Sequence, residues 1–458
     1  MKQFDLIVIG AGSGLDVAVG AAEKGLKTAI IEEGPLGGTC LNRGCIPSKM
    51  IIHSAEVAEE IRKATLFGIS ASVAKINFKL VTTRASQAVD EDAKSIEQSL
   101  RKGNNPTLFK ARAKFIAERT LEVGREKIQG KKIVIAAGAR PSIPPLPGLI
   151  PGLERVSYLT STEALRLTKL PKSLVIIGGG YIAAELGHFY AALGCTVTII
   201  QRGPLLIPRE DKEVAELFTK LWKKRYGVIC NCDVLKVEKN GKSIVVHTRH
   251  NGKEKRFAAE KLLIATGLKP NSDRLDVAKT GVKTNEKGFI TVNRYLETSA
   301  KNIWALGDIA GVYLFKHSAN LEAEYVLQNI FSLKKAVDYY PMPHAIFTSP
   351  QIAGVGLTEQ DCQQQKKKYV VGKYYYQHTG MGAAIEEKEG FVKLLVDEKS
   401  KEILGCHILG PGASTLIHEV VVAMKADRFK ALEILRTAVH VHPALSEVVQ
   451  RAALSVPL

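Results

Sequence analysis

One hydrophobic pattern occurs twice in the chain: a short apolar run that ends in glycines. Phe4 to Ile9 runs into Gly10-Ala11-Gly12-Ser13-Gly14, and a helical stretch then leads to a second run, Lys27 to Ile31, ending in Glu32. Ser173 to Ile177 runs into Gly178-Gly179-Gly180-Tyr181-Ile182-Ala183, and a helix to Leu193 leads to Thr196–Ile200. Short continuous apolar runs fit strands buried on both faces, and the longer stretches between them fit helices. The spacing predicts two βαβ units of about 30 residues each and an α/β fold.

The chemistry of such a unit is phosphate binding. Glycines let backbone amides approach a pyrophosphate, and the following helix N-terminus offers unpaired N–H groups and positive dipole charge. Gly10, Gly12 and Gly14 take this role in the first unit, Gly178 and Gly180 in the second. The end of the second strand distinguishes the dinucleotides: an acid there bonds a ribose hydroxyl, whereas an Arg accommodates a 2′-phosphate. Glu32 suits the adenosine ribose of FAD or NAD. The second unit ends in Gln201-Arg202, with Ala183 at the third glycine position, and this favours NADPH over NADH.

Between the repeats lies Gly37-Gly38-Thr39-Cys40-Leu41-Asn42-Arg43-Gly44-Cys45-Ile46-Pro47-Ser48-Lys49. In a regular helix two cysteines five apart have Cα atoms about 8.6 Å apart, beyond disulfide reach. Pairing needs a distorted turn, which Gly44 and Pro47 favour. Arg43, Lys49 and a helix terminus favour thiolate.

Composition adds limits. Apolar residues make up 45% and charged residues 24%, the balance of a soluble globular protein. The net charge is +18, yet the longest cationic runs are Lys366–Lys368 and Lys223–Arg225, and no nucleic-acid signature appears, so no nucleic-acid partner is expected. Seven scattered cysteines are not a secreted disulfide framework. No signal peptide or membrane span is expected, and the cytoplasm is the expected location. Cys230-Asn231-Cys232 is a C-x-C pair. Strand alternation would point both thiols the same way; they are expected to be packed, and without a third or fourth ligand no metal site is expected.

Taken together with Ala136-Ala137-Gly138-Ala139-Arg140-Pro141, Ala265-Thr266-Gly267, Ala305-Leu306-Gly307-Asp308, Thr348-Ser349-Pro350 and His440-Val441-His442-Pro443-Ala444-Leu445-Ser446-Glu447, the whole chain resembles the FAD-dependent pyridine nucleotide–disulfide oxidoreductases. That family includes dihydrolipoamide dehydrogenase, glutathione reductase, mercuric reductase and mycothione reductase. The resemblance implies an FAD-binding domain at 1–148 and 268–338, an NAD(P)-binding domain at 149–267, and an α+β interface domain at 339–458 that makes a homodimer. It implies that Cys40 is the interchange thiol and Cys45 the charge-transfer thiol beside the flavin. Lys49 then lies near flavin N5 with Glu185 as its carboxylate partner, and Asp308 binds the ribityl chain. His442 is the general acid/base, supplied across the dimer interface, and Glu447 orients it; His440 is left out of the catalytic set. Gly38, Thr39, Ala137, Gly138, Gly267 and Gly307 complete the implied cofactor contacts.

Absences narrow the substrate. There is no N-terminal C-x-x-C domain and no cysteine after Cys406, unlike mercuric reductases and large thioredoxin reductases. The positions of the glutathione-gripping arginines are Val19 and Gly20, which suit the hydrocarbon arm of lipoamide, as does Ser48 before Lys49. In the other direction, the first fingerprint is one glycine short of the family's pattern. Gly10 to Gly25 is 15 steps along the chain where Gly178 to Gly194 is 16. This shortening, Lys316-His317-Ser318-Ala319-Asn320 and Pro443-Ala444-Leu445 resemble mycothione reductase. The first expectation is a dihydrolipoyl dehydrogenase acting on a small disulfide or a lipoyl domain, with a 2-oxoacid dehydrogenase complex as a further partner. The alternative is an NADPH-dependent reductase of a low-molecular-weight disulfide, of mycothione or glutathione reductase type.

Overall fold

In a computed structural model that describes residues 1–150 and 156–457, the first apolar run forms β1 (Lys2–Ile9), which leads into α1 (Gly14–Glu23) and β2 (Thr28–Ile31). β1 lies parallel to β2, with Ile7 opposite Ala29, and parallel on its other side to Glu126–Ile135, with Ile7 opposite Ile133. Alternate residues point to opposite faces. Ile7 and Ile9 join a core with Phe109 and Phe115, while Leu6 and Val8 join another with Val17, Ala18 and Val326. Both faces are covered, so the run is continuously apolar rather than alternating. Thr107–Phe109 extends this seven-stranded sheet beyond β2, and Ile303–Ala305 joins Glu126–Ile135 from far along the chain.

After β2, the chain forms α2 (Gly38–Arg43) and α3 (Cys45–Lys63). The second unit repeats the first plan as β3 (Ser173–Ile177), α4 (Tyr181–Ala192) and β4 (Thr196–Ile200). β3 is parallel to β4 and to Lys261–Ile264. Leu174 and Ile176 pack on one face, Val175 and Ile177 on the other. Strands Ala139–Pro141 and Leu268–Pro270 pair antiparallel where the chain leaves the first unit and returns to it. Residues 151–155, just past the expected boundary at 148/149, and Leu458 lie outside the described residues.

The return segment includes α5 (Lys316–Asn329), which packs on α1. The C-terminal part is a five-stranded antiparallel sheet built from Pro343–Ile346, Ile352–Gly356, Ile403–Leu409, Phe391–Asp397 and Tyr369–Tyr375 in that order. Helices Ala413–Ala426, Ala431–Thr437 and α6 (Glu447–Leu454) cover it. The fold is the expected one: two Rossmann-like α/β units and an α+β C-terminal part. Among the described residues no helix is long and apolar enough to cross a membrane.

One local expectation fails. Cys230 and Cys232 are both buried, but in different cores. Asn231 between them has φ +51°, so the strand alternation that would align the two thiols is interrupted.

Candidate active site

The two glycine turns are built alike. Gly10 has φ +102°, and a Cβ there would lie 2.3 Å from the Ala136 carbonyl oxygen. Gly178 has φ +112°, and its Cβ would lie 2.3 Å from the Ala265 oxygen. Each glycine lets the loop cross a neighbouring strand end that a side chain would block.

A cleft of about 430 Å³ opens beside the first turn. Gly10, Gly12, Glu32, Gly38 and Thr39 line one part of it; Ala137, Gly138, Gly307 and Asp308 line another. The Gly37 N–H donates to the Ala11 carbonyl (2.9 Å), which ties the start of α2 to the glycine loop. Glu32 sits just past β2 and accepts from the N–H groups of Ala11 (2.9 Å) and Gly34 (2.8 Å). Its remaining lone pairs are free for ribose hydroxyls. The Asp308 carboxylate has no hydrogen-bond partner among the described residues, and burial pushes its pKa up to about 6. A half-buried acceptor that faces the cleft without a protein donor calls for hydroxyl donors, and the polyol and ribose of FAD carry them. Gly14 and Gly267 do not line the cleft. Gly14 lets α1 sit on the sheet, since its Cβ would be 2.8 Å from Ala136 Cβ and 2.9 Å from Val8 Cγ1. The Gly267 carbonyl accepts from the Ser142 N–H (2.9 Å) where the chain crosses back.

The cysteines enter the same cleft. α2 stops at Arg43 and α3 starts at Cys45, with Gly44 between them at φ −142°, ψ −119°. A Cβ on Gly44 would lie 2.9 Å from the Thr39 carbonyl oxygen. This break brings together thiols that a continuous helix would hold apart. They share a hydrogen bond that lowers the Cys45 pKa to about 7, with Lys49 assisting and burial and Glu185 opposing. The same bond, with burial, pushes Cys40 up, against the pull of Lys316. The pair thus loses its first proton from Cys45.

Lys49 lies one helical turn beyond Cys45 on the same face of α3. Its Nζ is 2.8 Å from both carboxylate oxygens of Glu185 on α4, and 4.6 Å from the centre of the Phe347 ring. The Phe347 N–H also donates to Glu185 (3.1 Å). That third contact is not legible in the sequence, because a backbone donor has no residue signature.

In the second unit, Gln201 turns back to donate to the Leu205 carbonyl (3.1 Å). Arg202 is exposed, with no hydrogen-bond or ion-pair partner among the described residues. No acid stands at this strand end.

His442 and Glu447 form a separate cluster at the start of α6. Glu447 is buried and accepts from His442 Nδ1 (2.9 Å) and the Ala444 N–H (3.1 Å). The bond from His442 holds the Glu447 carboxyl below its usual range. The His442 side chain is 75% exposed, and it does not line the cleft holding Cys40 and Cys45 of its own chain. Exposed Val439 and Val441 flank it. His440 differs: its ring is buried and bonded to Glu419 and to the Ala438 carbonyl. Val19 and Gly20 do not line the cleft either. Gly20 faces α5, where a Cβ would sit 2.6 Å from Leu327 Cδ2. The residue the sequence reading left without a role is Lys316, which lines the cleft and bonds Ser13.

Residues 4–329 match the family described as pyridine nucleotide-disulphide oxidoreductase, and residues 342–453 match its dimerisation domain. The chain is 36% identical to mycothione reductase of Mycobacterium tuberculosis over 467 aligned residues, covering 99% of each. It is 33% identical to dihydrolipoyl dehydrogenase of Bacillus subtilis, covering 99% of this chain and 98% of the relative. Among solved structures, the HOCl-induced flavoprotein disulfide reductase RclA from Escherichia coli superposes with a TM-score of 0.87 at 28% identity, covering 99% of both chains. The double glycine turn, the cysteine pair and these matches together identify the chain as a member of the pyridine nucleotide–disulphide oxidoreductase family, flavoprotein enzymes that use FAD and NAD(P)H.

Proposed function

We propose that the enzyme is a homodimeric, NADPH-preferring reductase of a low-molecular-weight disulfide. The observation that carries this reading is Arg202, exposed and unpaired at a strand end that holds no acid. A free guanidinium suits a 2′-phosphate, and the missing carboxylate removes the partner of a 2′-hydroxyl.

FAD, when bound, relays an electron pair between the nicotinamide and the cysteine pair. The chain's own residues handle the sulfur and the protons. Once both cysteines are reduced, Cys45 holds the first negative charge, close to Lys49. Cys40, more basic, keeps its proton until a base takes it. His442 suits this task, because Glu447 holds Nδ1 and leaves Nε2 to exchange protons. Cys40 Sγ bonds to one substrate sulfur, the S–S bond breaks, and His442 returns the proton to the departing thiol. The Cys45 thiolate then attacks Cys40 Sγ, the mixed disulfide breaks, and the second substrate sulfur leaves as a thiolate that takes its proton from solvent, which completes a two-electron reduction. His442 stands apart from the cysteines of its own chain and is exposed beside exposed valines, which supports its delivery by a second copy.

A second reading is dihydrolipoyl dehydrogenase, with a lipoyl domain as substrate and a 2-oxoacid dehydrogenase complex as partner. Val19 and Gly20 at the arginine positions favour it over a glutathione reductase. Because Gly20 is packed against Leu327, they speak against a charged grip rather than for an apolar one. The deciding experiment crosses lipoamide and glutathione disulfide against NADH and NADPH in matched initial rates. NADPH preference with little lipoamide turnover supports the small-disulfide reductase. Fast lipoamide turnover with NADH overturns it in favour of the second reading.

A further inference from the structure

Lys316 is the first residue of α5, at the helix end where N–H groups are unpaired and the dipole is positive. A cation is electrostatically misplaced there unless an anion joins it. Its Nζ donates to Ser13 Oγ (2.9 Å), and Ser13 immediately precedes α1, at a second positive helix end. The Ser13 hydroxyl in turn donates to Asn320 Oδ1 (2.9 Å), one turn further along α5. One helix thus grips the glycine loop with two side chains. Ser13 makes no side-chain cap on α1, so its hydroxyl does not satisfy the first N–H groups of that helix.

No carboxylate lies within ion-pair distance of Lys316 among the described residues; its hydrogen-bond partner is the neutral serine. Asp308 lines the same cleft without reaching it. Two helix N-termini and an ammonium therefore converge beside Gly10 and Gly12; the carboxylate at the loop, Glu32, is held by the Ala11 and Gly34 N–H groups and does not pair with Lys316. The shortened fingerprint sits at this point. α1 starts at Gly14, and that glycine is used up in packing on Val8 and Ala136, so it does not face the cleft.

We propose that Lys316, held by Ser13 and Asn320, binds the pyrophosphate of FAD at the first glycine loop. The inference rests on the first unit as the FAD site and is independent of which disulfide the enzyme reduces.

The test is release of flavin from the holoenzyme on dilution, followed by the fluorescence of free FAD at low and high sodium chloride, for wild type and Lys316→Met. At low salt, Lys316→Met is expected to raise the dissociation constant about tenfold, equivalent to ~1.4 kcal/mol. Its affinity is also expected to fall less steeply with salt than wild type, because one screened charge contact is gone. Lys316→Arg should retain wild-type behaviour, and Ser13→Ala, which keeps the charge but loses its anchor, should show a smaller loss. These two variants decide the matter if Lys316→Met does not fold. Equal dissociation constants and equal salt slopes for wild type and Lys316→Met overturn the proposal. Unchanged flavin release with altered Cys40 alkylation also overturns it and assigns the charge to the thiol. Flavin release is read without any disulfide present, so failure of the substrate assignment leaves the result intact.

Discussion

The two βαβ units share a backbone and differ in charge. Gly10 accepts no side chain against Ala136, and Gly178 accepts none against Ala265, at the same 2.3 Å. The Gly10 N–H bonds the Ile31 carbonyl at 2.8 Å, and the Gly178 N–H bonds the Ile200 carbonyl at 2.9 Å. Beyond that frame the units diverge. The first ends in a carboxylate fixed by two backbone amides and adds a lysine from a distant helix. The second ends in a free arginine and adds nothing acidic. On the proposed assignment, the shared backbone geometry serves a pyrophosphate in both units, and a few side chains at the strand end choose which dinucleotide carries it.

The strongest way to break the comparison is to fill each turn. Gly10→Val is expected to yield protein without flavin, whereas Gly178→Val is expected to keep flavin and lose nicotinamide affinity by at least about a hundredfold, ~2.7 kcal/mol. The flavin-to-protein absorbance ratio and stopped-flow flavin reduction by NADPH separate the two outcomes. Loss of flavin from both variants would show that the turns are not independent. Next in size, Cys40→Ser should remove disulfide turnover, by about 1,000-fold or more, while NADPH-driven reduction of an artificial dye persists. That result would place the cysteine pair downstream of both dinucleotides; equal loss of dye reduction would contradict it.

Arg202→Glu should lower kcat/KM for NADPH and raise it for NADH, changing their ratio by roughly 10- to 100-fold through repulsion of the 2′-phosphate. An unchanged ratio means that Arg202 does not read that phosphate. The smallest effect concerns pH. The folded Cys45 thiol titrates near 7, below an ordinary thiol, with the hydrogen bond from Cys40 as the main cause and Lys49 assisting. A depressed pKa stabilises the fold above the unfolded value, and that contribution is lost as pH falls through about 7. Ultraviolet thiolate absorbance of the reduced protein should therefore rise with a midpoint near 7, vanish in Cys45→Ser, and move upward in Lys49→Met.

Much of this was legible in the sequence for stated physical reasons. Leu6 to Ile9 and Leu174 to Ile177 are readable because strands covered on both faces must be apolar throughout. The interrupted helix between Cys40 and Cys45 was readable from the helical spacing and Gly44. The pairing of Lys49 with Glu185, 136 residues apart, was readable only through the family resemblance, since no local pattern encodes it. The clamp on Ser13 was not readable at all: Lys316 lies 303 residues away, and only packing of α5 on α1 brings it there. Cys230 and Cys232 misled because alternation holds only while the backbone stays extended, and Asn231 does not.

The exposed position of His442 has a consequence in terms of inheritance. If each site draws its thiol from one copy and its imidazole from the other, two different inactive chains can repair one another. A Cys40→Ser chain mixed with a His442→Ala chain forms dimers in which one site carries both defects and the other carries none. Random pairing of equal amounts would recover roughly a quarter of wild-type activity, although neither variant works alone. By the same arithmetic, a chain defective at both positions would silence both sites of every dimer it joins, and so act as a dominant poison rather than a passive loss.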